Sequence, residues 1–184
     1  EYFMILYFHE MDWPYICVFD IEHDSGRIFQ FSGLMYQRVG DGLYQLCRNV
    51  NIYADVTISK FISKFTGISQ GFLNNYGAAP QEFIDTFVKF CEGIDLDDVV
   101  FVSHGAHQDT KLLVENNFPM DGAHYMCTHS IAKQVLHRSE HLTLGDIAEE
   151  CGYLFPAHNA YNDARATAIV LSFLLKKKGE IEDE

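Results

Sequence analysis

The period of apolar positions changes several times along the chain, and each change marks an element. Residues 15–22, reading Tyr-Ile-Cys-Val-Phe-Asp-Ile-Glu, form an apolar run that ends in two carboxylates one residue apart. That is the pattern of a buried strand. A turn at 23–26 follows, and residues 27–39 and 43–52 around the loop Gly40-Asp41-Gly42 predict a hairpin of two long strands. The first third of the chain therefore predicts three antiparallel strands. From Asp55 the spacing becomes helical, Phe65-Thr66-Gly67-Ile68-Ser69 interrupts it, and Ser69 caps a short helix to Asn75. Residues 80–91 predict an amphipathic helix with Phe83, Phe87 and Phe90 on one face and Gly93 as its stop. Beyond it come a short strand at 98–103, a loop at 104–109 into a helix through Asn116, and a strand at 125–128. Helices at 130–138, 143–152 and 161–178 complete the chain, the last apolar through Ala164, Ala168, Leu171 and Leu175. Antiparallel strands followed by strands alternating with helices predict an α/β fold, a mixed sheet with helices packed on it.

Composition narrows the class. A chain of 184 residues with 48% hydrophobic and 21% charged positions is ordinary globular material and is read as one domain at 11–178. It has no apolar run long enough for a membrane span and no signal-peptide pattern, so the expected location is cytoplasmic. Residues 1–10 are aromatic and lack an initiator Met at position 1, and are read as a linker, tag or fusion remnant. Residues 179–184 are read as a solvated acidic tail. Cys17, Cys47, Cys91, Cys127 and Cys151 are odd in number and never paired as Cys-x-x-Cys, so they are expected to be small core residues rather than a disulfide framework. A formal net charge of -13 argues against a broad duplex binder that works by neutralising phosphates, yet it permits a local metal-filled cleft.

Within this frame the strand-end pair is the first candidate for chemistry. Alternation along a strand puts Asp20 and Glu22 on one side. Two carboxylates so close raise each other's pKa unless a cation neutralises them, and clustered oxygens suit Mg²⁺ or Mn²⁺. By itself the pair also fits a strand running out into solvent. Asp109, after the strand at 98–103, and residues 158–164, reading His-Asn-Ala-Tyr-Asn-Asp-Ala, extend it into a set. Asp109 is also readable as a helix N-cap, a role that does not exclude ligation. His104 and His107 with His124 and His129 raise a zinc reading, but no Cys-rich or His-Glu-x-x-His context accompanies them, and it is set aside.

Taken in order, the three motifs resemble those of the DEDDh branch of the DnaQ-like 3′-to-5′ exonucleases: an Asp-x-Glu on the first strand, a middle Asp, and a terminal His-x-Ala-x-x-Asp-Ala. Here they are Asp20 and Glu22, Asp109, and His158 to Ala164, and the resemblance covers about residues 15–176. It implies an RNase H-like fold with a five-stranded mixed sheet. It also implies two divalent ions, Mg²⁺ or Mn²⁺, held by Asp20, Glu22, Asp109 and Asp163, with His158 as general base. The expected reaction is removal of nucleoside 5′-monophosphates from single-stranded or frayed DNA ends, with RNA 3′ ends as the alternative. Proofreading, repair or end trimming fit, beside a polymerase or fused to a CRISPR-adaptation protein. Ile21, His23, Phe65, Thr66 and His104 are the expected substrate contacts, and Phe65 and Tyr161 flank the cleft where a base would stack. The family usually has Thr where this chain has His23, which bears on how that corner holds the terminal sugar. A reading from another class is a non-catalytic partner-binding domain on the same fold, contacting through the acidic tail or the aromatic N-terminus.

Overall fold

A computed structural model describes residues 3–183. Its six-stranded sheet comprises β1 (Ile5–Tyr7), β2 (Tyr15–Asp24), β3 (Arg27–Gly40), β4 (Leu43–Tyr53), β5 (Val99–Ser103) and β6 (His124–Cys127), ordered β1-β4-β3-β2-β5-β6. The pairs among β1 to β4 are antiparallel, and β5 and β6 continue from β2 in parallel. The helices are α1 (Lys60–Thr66), α2 (Gln70–Tyr76), α3 (Pro80–Phe90), α4 (Ala106–Glu115), α5 (Thr128–Leu136), α6 (Leu144–Glu150) and α7 (Ala160–Glu182). None is long and apolar enough to cross a membrane.

The predicted hairpin and the three opening antiparallel strands are present, and the predicted mixed sheet is completed by the parallel strands β5 and β6. Residues 55–59, expected to be helical, stay outside α1, which starts only at Lys60 because Ser59 accepts the Ile62 N–H as its cap. Of the five cysteines, all free, Cys17 alone is fully buried and Cys47 is exposed, so the expectation of core residues holds for one of them.

Alternation along β2 divides the molecule. Cys17, Phe19 and Ile21 point into a core shared with Phe31, Phe83, Phe87 and Phe118, where α3 packs. Ile16 and Val18 point the other way, into a core completed by Ala164, Ala168, Leu171 and Leu175 of α7. The alanines bring α7 close to the sheet, and its opposite face packs with α5 and α6 through Ala132, Ile147, Val170 and Leu174. Asp20 and Glu22 continue the row of Ile16 and Val18, so they emerge on the side covered by α7.

The N-terminal end differs from expectation more than the C-terminal one. Residues 3–10 are not a detached linker: β1 adds a sixth strand, Phe3, Leu6 and Phe8 are buried, and the Tyr36 hydroxyl donates to the Phe3 carbonyl at 2.6 Å. The acidic tail is helical through Glu182 with Glu180, Glu182 and Asp183 exposed, as a solvated tail requires, and Gly179 is buried against the His9 ring, which an added Cβ would have to displace. Aromatic burial at one end and a close helix approach at the other tie both segments to the body. Glu1, Tyr2 and Glu184 of those segments lie outside the described residues.

Candidate active site

Three elements converge on one corner. β2 supplies Asp20 and Glu22, the first turn of α4 supplies Asp109, and the first turn of α7 supplies Asp163. Oxygens of Asp20, Glu22 and Asp163 lie within 4.8 Å of one another, and each of the three residues is half-buried. Asp109 is near enough that its charge raises the pKa of both Asp20 and Glu22. It is not the cap of α4, whose N-cap is Gly105 in a left-handed conformation, so its carboxylate is free of that duty.

The electrostatics are those of an unneutralised cluster. Burial first, then the charges of Asp163, Asp109 and Glu22, push the Asp20 carboxyl well above the usual range. Burial, then Asp163 and Asp109, push Glu22 up to about 7. Burial lifts Asp163 to about 7 although the His158 N–H donates to it, and lifts Asp109 to about 6. Asp109 Oδ2 and Asp163 Oδ1 are buried with no hydrogen-bond partner among the described residues. Among the described residues, no Lys or Arg pairs with any of the four acids. Orphaned carboxylate oxygens without a basic partner are what hard divalent ions satisfy, so the donor set fits them.

His158 lies on the loop before α7, exposed, with φ 66°, a left-handed conformation that is strained for a residue with a Cβ. Next to it, Asn159 caps the helix by accepting the Tyr161 N–H at 3.1 Å. Phe65 leans on the imidazole with ring centroids 4.0 Å apart, and is itself 48% exposed, so part of its ring is accessible beside the site. Phe61, one turn earlier on α1, stacks on Phe65 at 6.1 Å. Tyr161 already has the Arg165 guanidinium over its ring at 4.4 Å.

The other expected substrate contacts each take part in the protein's own structure. Ile21 is buried in the core behind the sheet, as alternation between Asp20 and Glu22 requires, leaving only its backbone for a ligand. The Thr66 hydroxyl donates to the Ile62 carbonyl at 2.9 Å and accepts the Ile68 N–H at 3.3 Å, so it shapes the end of α1. His23 follows a register shift in the β2–β3 ladder, and its Nδ1 accepts the Gly26 N–H at 3.3 Å in the turn. His104 is tied on both nitrogens: Nε2–H donates to the Leu142 carbonyl at 2.8 Å, which leaves Nδ1 to accept from the Thr128 hydroxyl at 2.8 Å. The set-aside zinc reading gains nothing, since among the described residues the one group of potential metal ligands is Asp20, Glu22 and Asp163.

The sequence reading passed over the polar belt behind the carboxylates. Asp20 faces Ser32 and then Asn51 across the sheet, and Glu22 faces Gln30 and then Tyr53. Gln30 and Ser32 are fully buried, and Asn51 Oδ1 accepts from the Ser32 hydroxyl at 2.6 Å. A signal existed: polar residues at 30 and 32 alternate with Phe29, Phe31 and Gly33 in a stretch, residues 28–35, that is otherwise apolar on both faces.

Comparison with known proteins bears on the family and the fold. The RNase T exonuclease family matches residues 48–171, a stretch that includes Asp109, His158 and Asp163 and begins after β2. A sequence comparison with curated proteins gives no match. Among solved structures, a 3′-exonuclease that recognises the histone mRNA stem-loop is similar with a TM-score of 0.68 and 14% identity, over 92% of this chain and 66% of that one. The nuclease domain of 3′hExo, a DEDDh family member bound to rAMP, is similar with a TM-score of 0.67 and 13% identity, over 93% and 94%. Zinc-bound E. coli ExoI with single-stranded DNA gives 0.71 and 12%, over 94% of this chain but 42% of that one. At such identities the structural likeness speaks for the fold alone.

Proposed function

This chain belongs to the RNase T exonuclease family, and on that premise we propose that it is a metal-dependent 3′-to-5′ exonuclease releasing nucleoside 5′-monophosphates from single-stranded or frayed DNA ends. The observation that carries the proposal is the convergence of four half-buried carboxylates, two with orphaned oxygens, beside an exposed histidine. Asp20, Glu22, Asp109 and Asp163 would hold two Mg²⁺ or Mn²⁺ ions. When bound, such ions shield the phosphate charge and make a water acidic enough to attack near neutral pH.

The chain's own residues supply the rest. His158 accepts the attacking water's proton, a task suited to an imidazole, whose ring nitrogen can take up a proton and release it again. It is exposed and, among the described residues, its ring nitrogens have no hydrogen-bond partner, which leaves it available for that transfer, whereas both nitrogens of His104 are occupied. The exposed part of the Phe65 ring contacts the terminal base, a contact that tolerates any sequence because every base has a π-face. The acidic surface works against long duplex contacts and favours an end held locally.

A second reading, RNA as substrate, is favoured by one observation: the similar 3′-exonuclease is seen recognising an mRNA stem-loop. Proofreading, repair and end trimming in the cytoplasm, beside a polymerase or a CRISPR-adaptation protein, all draw on this one activity. The deciding experiment is a gel assay of 5′-labelled single-stranded DNA and its RNA counterpart with Mg²⁺, Mn²⁺ or EDTA. A metal-dependent ladder shortening from the 3′ end is expected, faster on DNA. Faster shortening of RNA selects the second reading, and no cleavage of either strand returns the chain to a non-catalytic, partner-binding role.

A further inference from the structure

Gln30 sits in the middle of β3 with no exposed surface, a costly place for a primary amide unless its polar atoms are used. They are used across a long sequence separation. Oε1 accepts the Ala160 N–H at 3.1 Å, and Nε2 donates to Asn51 Oδ1 at 2.9 Å, with the Tyr53 hydroxyl at 3.3 Å and Asn159 Oδ1 at 3.4 Å also in reach. Asn51 is in turn held by Ser32, so the amide is braced from behind. The two residues it grips, Asn159 and Ala160, immediately follow His158.

The backbone at His158 needs such a grip. Its left-handed φ is strained, and a strained loop persists only where surrounding contacts over-determine it. Asn159 caps its own helix, and the His158 N–H reaches only to Asp163 on that same helix. Neither contact refers the loop to the strand that carries Asp20 and Glu22. Gln30 does, because it is the β3 partner of Glu22 and shares its face.

We propose that Gln30 is a positioning residue for His158: its side-chain amide latches the backbone that carries the imidazole to the sheet that carries the carboxylates. The proposal rests on the reading of His158 as general base. Gln30 has no hydrogen bond to any of the four acids, so the latch acts on proton transfer and leaves ion binding alone.

Gln30→Met keeps the length of the side chain and removes both hydrogen-bonding ends. It is to be measured alone and combined with His158→Ala, by steady-state turnover of single-stranded DNA and calorimetric titration with Mn²⁺. The expected result is a kcat about 10- to 100-fold lower, the scale of lost outer-shell support or of small misplacement, with KM and the Mn²⁺ Kd within about twofold. In the His158→Ala background the same substitution is expected to change kcat by less than about threefold, because residues that act as one unit are not additive. In the metal-free protein, amides 158–161 are expected to exchange faster in Gln30→Met. Wild-type kcat in Gln30→Met, an undiminished further loss in the His158→Ala background, or unchanged amide exchange would overturn the latch. A wild-type rate in His158→Ala alone would overturn the base assignment, and the latch with it. Should Gln30→Met not fold, an ester in place of the Ala160 amide deletes the same bond from the loop side without adding bulk, with the same outcomes deciding.

Discussion

His104 and His158 stand beside elements that each bring an aspartate to the corner, Asp109 on α4 and Asp163 on α7, yet their surroundings are opposite. His104 is half-buried, both ring nitrogens are hydrogen-bonded, and desolvation lowers its pKa, which keeps it neutral. It is a strut between β5, α5 and the segment before α6. His158 is exposed, its backbone is strained, and its ring touches Phe65. A histidine whose lone pair and proton are both spent locally cannot also serve a substrate. Identity of residue therefore says less about role than the number of polar atoms left over.

The deepest cut through this comparison is Asp20→Ala, which touches neither histidine. Metal-dependent cleavage should fall below detection in the gel assay. The metal-free protein should meanwhile melt at or above the wild-type temperature at pH 7, because a carboxylate repelled by three others has been removed. A lower melting temperature would mean that Asp20 contributes to the fold in some other way.

His158→Ala separates the two corners directly. Turnover should fall by about 10²- to 10⁴-fold, as for loss of a general base, with Mn²⁺ affinity and thermal stability retained. Wild-type turnover in this variant would remove the distinction between the histidines.

His104→Ala should do the reverse. Loss of two hydrogen bonds, leaving the Leu142 carbonyl in want of a donor, should cost about 1–3 kcal/mol in a denaturant titration. Turnover per folded molecule should stay near wild type, and a selective loss of kcat would return His104 to the substrate site.

The smallest effect is a dependence on pH. Folded-state pKa values of about 7 for Glu22 and Asp163 and about 6 for Asp109 lie above those of unfolded carboxylates. The folded protein thus binds more protons than the unfolded one, and the cluster's contribution to metal-free stability falls as pH rises from about 4 to about 7. Mn²⁺ should raise the melting temperature more at pH 8 than at pH 5, since the ions compete with those protons. An equal shift at both values would show that the ions bind elsewhere.

Much of this corner is legible in the sequence because its parts are local. Asp-x-Glu ending an apolar strand and His158 followed by a helix-opening Asp163 are short-range patterns, and strand alternation alone predicts that the first pair shares a face. The same alternation, applied to Ile21, would have sent that side chain to the core. Thr66 is harder to read, because a Thr near a helix end can turn back on its own backbone, and here it does. Gln30 is illegible alone: its meaning depends on the β2–β3 register and on a helix that arrives from the other end of the chain. β1 is hidden by brevity, since three residues carry too little periodicity to announce a sixth strand.

That late-arriving helix also sets an order of events. β2, β3 and β4 pair with neighbours in sequence, a cheap form of loop closure, whereas α7 must return across nearly the whole chain to lie on β2. Closing the sheet is thus entropically cheaper than closing the corner. A chain still emerging from a ribosome carries Asp20 and Glu22 early, but Asp163 can join them only once α7 has been made.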